Sequence, residues 1–279
     1  METKKVWLVT GASKGLGLSL VKKLLEQGHH VAATSRNEQS LTKAVGAGLD
    51  GFLPLQLDIT DAASVKTTIE KVVAHFGKID VVVNNAGYGQ LGTLEELSDD
   101  EARENFDVNV FGPLNVIRNV MPYLRSQKSG HIFNIASVGG FLGNFAGWGI
   151  YCSTKFAMAG FSESLAEESK EFGVHVTLVY PGYFRTDFLT SDSLKTPKLH
   201  IEEYQAARAS EQAHLQQING NQPNDPEKGA DVLIAIADQE NPPVHLLLGI
   251  DTFDLLAQKT EIIHQDAEKW KAYSVSTGF

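Results

Sequence analysis

The chain has 279 residues, 42% hydrophobic and 21% charged, with a formal net charge of −10. That is enough apolar material for a sizeable core, and the acidic balance argues against a surface built for nucleic acid or an anionic membrane. The single cysteine, Cys152, excludes an internal disulfide framework and fits a reducing compartment, and no apolar run approaches membrane-spanning length, so a cytoplasmic location is expected.

Short β-rich runs alternate with longer helical stretches, the pattern of βαβ units around a parallel sheet. Val6 to Thr10 reads as the first strand, and Gly15 to Gln27 as a helix with Leu16, Leu20 and Leu24 at helical spacing. Strands follow at His30 to Ser35 and Gly51 to Leu57, a helix at Asp61 to Phe76, and a doubly buried strand at Asp80 to Asn84. Ser98-Asp-Asp-Glu101 is a capping box that starts a helix, and Pro113 splits the next stretch or starts a new helix near Gly112. Strands at His131 to Ala136, Val174 to Tyr180 and His245 to Leu248 alternate with helices at Tyr151 to Phe172 and Glu227 to Asp238. Seven parallel strands between helices predict an α/β, Rossmann-like doubly wound sheet in three layers, a single domain over 1–279.

Two segments depart from this rhythm. Residues 183–224 are polar, with a helix expected from Ile201 to Ile218, and read as a variable substrate loop that closes over its ligands. Residues 250–279 form a C-terminal tail, helical in part through Trp270.

Thr10-Gly11-Ala12-Ser13-Lys14-Gly15-Leu16-Gly17 lies between strand and helix, where a dinucleotide pyrophosphate would sit. Gly11 permits a sharp turn, Gly15 and Gly17 allow close backbone approach, and the helix N-terminus offers free N–H groups to phosphate. The spacing is not G-x-G-x-x-G, and as a bare pattern it is equally a structural turn. The second strand ends Ala32-Ala33-Thr34-Ser35-Arg36, without the carboxylate that selects NAD. Arg36 and Lys14 face where a 2′-phosphate would lie, which favours NADP(H); the competing reading is two solvated surface charges.

In family order, the chain resembles the short-chain dehydrogenase/reductase family in its compact single-domain form over its first ~190 residues, where several ordered motifs outweigh one glycine turn. The resemblance rests on TGASKGLG at Thr10 to Gly17, Asp58, NNAG at Asn84 to Gly87, Asn109, Ser137 in NIAS, Tyr151-Cys-Ser-Thr-Lys155, and Pro181-Gly182 followed by Thr186. It implies an oxidoreductase that moves a hydride between NADP(H) and a carbonyl or secondary alcohol, with Asn109, Ser137, Tyr151 and Lys155 as the catalytic set. It further implies cofactor contacts from Gly11, Ser13, Lys14, Gly15, Leu16, Gly17, Arg36, Asp58, Ile59, Asn85, Ala86, Gly87, Pro181, Gly182, Phe184 and Thr186, besides Tyr151 and Lys155. By the same resemblance Lys155 bonds the nicotinamide ribose and Asn109 holds a relay water.

The chemistry also follows from the residue types. Charge that builds on a carbonyl oxygen needs a donor and then a proton. A phenol titrates near 10, and Lys155, four residues on, shares a helical face with Tyr151 and is expected to pull its pKa down. Ser137 can donate to the same oxygen. Singly, each such residue is more often a cap or a packing group; Asp58 likewise could simply precede a helix. The nine histidines show no metal spacing, so no metal is assigned.

For the substrate, Phe141, Phe145, Trp148, Tyr183 and Phe188, with Ser137 and Tyr151, predict a roomy apolar pocket; the alternative for each aromatic is core packing. Lys195, Lys198 and Arg208 read as solvent charges. Within the family the chain looks closest to the long-tailed hydroxysteroid and retinol dehydrogenase branch. A ketoacyl-thioester reductase is the runner-up enzyme, and a non-catalytic NADP(H) sensor is the reading from another class. The expected partners are a small carbonyl or alcohol substrate and, by resemblance, a homodimer.

Overall fold

The computed structural model describes residues 4–190 and 193–279. In chain order the elements are β1 (Val6–Val9), α1 (Gly15–Glu26), β2 (His30–Ser35), α2 (Glu38–Val45), β3 (Phe52–Gln56), α3 (Ala62–Phe76), β4 (Val81–Asn84) and β5 (Gly89–Gln90). There follow α4 (Asp99–Phe106), α5 (Gly112–Gln127), β6 (Gly130–Ile135), α6 (Gly149–Ser169), β7 (Val174–Pro181), β8 (Leu194–Lys195), α7 (Gln205–Gln212), α8 (Pro226–Ala237), β9 (His245–Leu248) and α9 (Thr252–Val275). All seven expected strands join one parallel sheet in the order β3-β2-β1-β4-β6-β7-β9.

Strand β1 shows why the sequence folds this way. Its four residues are all buried, with Trp7 and Val9 in one core cluster and Val6 and Leu8 in the other. The first cluster takes Leu20 and Leu24 of α1 and Leu233 of α8; the second takes Ile69 of α3, Val116 and Val120 of α5, and Leu165 of α6. A strand covered on both faces has no solvent side, which is why it reads as a continuous apolar run rather than an alternation. Strand order reverses between β1 and β4, and that opens a crevice at their carboxyl ends.

Helix starts follow local chemistry. Asp61 caps α3 through the amides of Ala63 and Ser64, and Ser98 and Glu101 form the reciprocal box at α4. A π-helical turn, Asp107–Phe111, joins α4 to α5, and Pro113 lies in the first turn of α5. Four features differ from expectation. Helix α2 stands where the sequence pattern predicts none, on a polar stretch that buries only Leu41. The helix expected from Ile201 begins at Gln205 and passes into a π-helical turn, Ala213–Ile218. A two-stranded ladder, β5 with β8, draws the substrate segment onto the body. The tail helix runs on past Trp270 to Val275.

Candidate active site

The crevice is a single cleft of about 610 Å³ along the carboxyl ends of β1, β4, β6 and β7. Gly11 and Gly15 adopt φ of +66° and +59°, a region costly for any other residue. A Cβ on Gly11 would stand 2.7 Å from Ala86 Cα, and one on Gly17 2.5 Å from Asn85 Nδ2. The turn is therefore pressed against the end of β4. Asn85 fastens it, with Nδ2 donating to the carbonyls of Thr10 and Gly11 at 2.9 Å each, while Thr10 Oγ1 accepts from the amides of Asn85 and Ala86.

Of the expected cofactor residues, Ser13, Lys14, Leu16, Arg36, Asp58, Ile59, Ala86, Gly87, Pro181, Gly182, Phe184 and Thr186 line the cleft with Gly11, Gly15, Asn85, Tyr151 and Lys155. Gly17 does not line it; it is buried beneath the turn as a packing position. Asp58 accepts from the hydroxyl and amide of Thr60, which, with the charge of Arg36, hold its carboxyl below the ordinary range.

The catalytic candidates converge on the middle of the cleft. Tyr151 and Lys155 lie on α6 and Ser137 follows β6; Tyr151 and Lys155 are buried. Burial pushes the Tyr151 phenol above its ordinary value, and a hydrogen bond with Ser137 works the other way. Lys155 Nζ donates to the Ile135 carbonyl at 2.9 Å and lies 5.7 Å from the Tyr151 ring centroid, and burial lowers its pKa to about 8. The expected downward pull of Lys155 on the phenol is thus not found here: burial raises the phenol, and the ammonium is turned to a backbone carbonyl. Asn109 is fully buried behind the cleft wall in the π-helical turn. Its Nδ2 donates to Tyr88 O and Thr154 Oγ1 and its Oδ1 accepts from Tyr88 N. A Cβ on Gly87 would lie 3.0 Å from Asn109 Oδ1 and 3.7 Å from Lys155 Nζ, so only glycine leaves that gap open.

On the substrate side Phe145, Trp148, Tyr183 and Phe188 line the cleft, with Trp148 5.4 Å and Phe188 6.0 Å from Tyr151 between ring centroids. Phe141 is the exception. Its ring packs edge-on against Tyr180 at 5.2 Å in a separate cluster outside the cleft, because the 3-10 turn Val138–Gly140 directs it away. Arg208 is not a solvent charge either. One guanidinium nitrogen reaches both oxygens of the fully buried Glu96 at 2.8 Å, while Glu96 also accepts from the amides of Thr93 and Ile201. Lys195 pairs with Glu104 at 2.9 Å, the Lys198 amide donates to Glu101, and Tyr204 bonds Glu95.

Two groups escape sequence reading. His214 is buried in the cleft wall, with Nδ1 on the Ser210 carbonyl at 2.7 Å and Nε2 on the Tyr183 hydroxyl at 3.0 Å. Asp251 accepts from the Tyr183 amide and from Asn224 Nδ2, whose nitrogen also holds the Tyr183 carbonyl. Neither carries a local motif; both are brought in by the return of the chain through 210–251. Cys152 is buried and its thiol pushed up to about 11 by burial, and among the described residues no cluster suited to a metal ion and no helix long and apolar enough to cross a membrane occurs.

The short chain dehydrogenase family model matches residues 5–196, and the chain belongs to that family of oxidoreductases. It is 36% identical over 98% of its length to the oxidoreductase BOA17 of Botryotinia fuckeliana, covering 99% of that protein. A short-chain dehydrogenase from Streptomyces avermitilis is 35% identical with a TM-score of 0.91, over 99% of this chain and all of that one. Solved relatives hold nicotinamide dinucleotides. A Burkholderia phymatum short-chain dehydrogenase/reductase in complex with NAD is 25% identical with a TM-score of 0.79, over 95% and 94%. An alcohol dehydrogenase from Thermococcus sibiricus complexed with 5-hydroxy-NADP is 25% identical with a TM-score of 0.70, over 88% and 96%.

Proposed function

We propose that the protein is an NADP(H)-dependent reductase of carbonyl groups on hydrophobic substrates, reversible to the secondary alcohol, with Tyr151 as the proton-transfer residue. The observation that carries this reading is the meeting, in one cleft, of the glycine turn, Arg36, and the Ser137–Tyr151–Lys155 set. The cradle suits a dinucleotide: Gly11, Gly15 and Gly87 keep open the space that side chains would fill. Bound there, NADP(H) would supply or accept the hydride.

The chain's own residues do the rest. Ser137 hydrogen-bonds the substrate oxygen, and the Tyr151 phenol donates to it as negative charge develops. A phenol is protonated at neutral pH and burial raises it further, so Tyr151 holds the proton that the developing charge requires. Lys155 holds the ribose of the cofactor and stabilises the phenolate once the proton has left, a role that requires its ammonium to exchange the Ile135 carbonyl for a new partner. Asn109 positions the turn behind Lys155. Phe145, Trp148, Tyr183 and Phe188 exclude water from the reacting carbon and select apolar, bulky substrates, steroid-like alcohols and ketones among them.

The test is a panel of aldehydes, ketones and alcohols followed by NADPH absorbance, with NADH as control. Turnover with NADPH on bulky ketones is expected. Turnover with NADH preferred would remove the assignment made to Arg36 and Lys14, and no turnover with any member would remove the enzyme reading.

A further inference from the structure

The substrate half of the cleft is not apolar throughout. Tyr183 and His214 both line it, and the Tyr183 hydroxyl lies 3.0 Å from His214 Nε2. Which of the two donates is fixed on the far side of the imidazole. His214 Nδ1 stands 2.7 Å from the Ser210 carbonyl, which can only accept, so Nδ1 carries a hydrogen. His214 is 7% exposed and packs on Trp148 at 4.7 Å between ring centroids. Burial lowers its pKa below the ordinary value, against the pull of the Ser210 carbonyl, so at neutral pH the ring holds that one hydrogen. Nε2 is therefore the acceptor and the Tyr183 hydroxyl the donor.

That leaves the Tyr183 oxygen with a lone pair and no hydrogen to offer. The residue is firmly placed, since Asp251 takes its amide and Asn224 holds its carbonyl. Its phenol lies near enough to Tyr151 to raise that residue's pKa, so one small molecule can reach both. Residues 222–224 run beside it, through the Asn224 amide on the Tyr183 carbonyl and the parallel bridge of Phe184 with Asn224. Gln222 lines the same cleft, is 2% exposed, and has neither carboxamide atom paired among the described residues. Buried polar groups are normally satisfied, so an open carboxamide in a cleft wall marks a place for a polar group of the ligand.

We propose that Tyr183 and Gln222 form a subsite for a hydroxyl group on the substrate, apart from the carbonyl that reacts at Tyr151. A hydroxyl donates to the Tyr183 oxygen and accepts from Gln222 Nε2. An ether or second carbonyl can take only the Gln222 bond, and an alkyl group takes neither. His214 is a positioning residue, which sets the polarity of the subsite by holding the Tyr183 proton. The inference rests on the carbonyl-reductase reading and narrows it: the substrates are bulky hydroxy ketones, with diols on the alcohol side.

The test uses saturated bicyclic ketones that carry a hydroxyl, methyl, methoxy or ethyl group at each position of the ring remote from the carbonyl. Hydroxyl and methyl match in size, as do methoxy and ethyl. With NADPH, the best hydroxy ketone should exceed its methyl counterpart about tenfold in kcat/KM, the worth of a hydrogen bond between uncharged groups. Tyr183→Phe should bring that ratio close to one. His214→Leu releases the Tyr183 proton to the cleft and should raise methoxy over ethyl several-fold, which a wall loosened by the substitution does not do because the two groups are equal in bulk. The hydroxyl preference should also appear in calorimetric affinity for the ketones in the presence of NADP+, where no hydride is available. Methyl ketones that match or beat hydroxy ketones in turnover and affinity, or a preference untouched by Tyr183→Phe, would overturn the subsite and leave the enzyme reading standing. No turnover, with the preference intact in calorimetry, would support the subsite and remove the role of Tyr151. Neither turnover nor binding of any member would overturn both.

Discussion

The two halves of the cleft are built on different principles. The cofactor half is made of backbone: a glycine turn with left-handed residues, a helix N-terminus, and an asparagine that ties β4 to the turn. The substrate half is made of side chains on a segment that wanders from 183 to 224 and is fastened to α4 and the loop before it by four carboxylates, Glu95, Glu96, Glu101 and Glu104. Backbone geometry demands particular residues at particular spacings. A wall of apolar rings accepts many sequences. The first half is therefore suited to one kind of ligand and the second to a class defined only by size and polarity.

The sharpest break between the halves is at Tyr151, which serves both. Tyr151→Phe keeps the ring packing against Trp148 and Phe188 and removes only the proton. Turnover should fall about 10²- to 10⁴-fold, the usual worth of a positioned acid, while NADPH affinity by fluorescence titration stays within a few-fold. Activity within threefold of wild type would end the assignment.

Arg36 tests the cofactor half alone. A charge-assisted contact to a 2′-phosphate is worth about 1.5–3 kcal/mol. Arg36→Ala should therefore cut the NADPH-over-NADH preference about ten- to a hundredfold, with NADH kinetics and the substrate KM unchanged. An unaltered ratio would return Arg36 to the role of a solvated charge beside Asp58.

Both of these residues stand out in the amino-acid sequence itself. The sheet, its seven strands and the glycine turn are legible there because the strands are short, mostly apolar runs and the left-handed positions of the turn are glycine. The capping box at Ser98 and the helix start near Pro113 are legible for equally local reasons. Phe141 is not, since the direction of one ring depends on a short turn that no periodicity encodes. Arg208 and His214 are not, because burial of a polar group depends on partners about a hundred and about thirty residues away, respectively. The pull of Lys155 on Tyr151 rests on spacing alone; spacing puts the two on one helical face but says nothing of the Ile135 carbonyl that takes the ammonium.

Lys155 supplies the next test. Its burial lowers its pKa from the ordinary value of 10.5 to about 8. The ammonium is present below that value and lost above it, so kcat/KM for NADPH, which reports groups of the free enzyme, should show an alkaline limb with a midpoint near 8. About tenfold is lost for each pH unit beyond it. Lys155→Arg, with a guanidinium that stays charged, should move that limb out of the accessible range even if its absolute rate is low. A wild-type profile flat to pH 9.5 would detach the lysine from cofactor capture.

The smallest expected effect falls on the substrate half. Glu96 is buried, and burial opposes its charge. The amides of Ile201 and Thr93, the Thr93 hydroxyl and the Arg208 guanidinium outweigh that cost and hold the carboxyl below its ordinary value. A carboxyl depressed in this way stabilises the attached segment above its unfolded pKa, about 4.3, and the contribution is lost as pH falls through the lower, folded value. Glu96→Gln keeps the shape but gives up the charge and one acceptor, leaving Glu211 as the one carboxylate paired with Arg208 among the described residues. Segment 194–218 should then loosen: substrate KM rises several-fold, limited proteolysis at neutral pH cuts within the segment, and NADPH affinity is unmoved because the turn and α1 do not touch Glu96. If cofactor binding weakened in step with substrate binding, the two halves would be one mechanical unit. The division between a backbone-built half and a strapped side-chain half would then describe how they are made, not how they work.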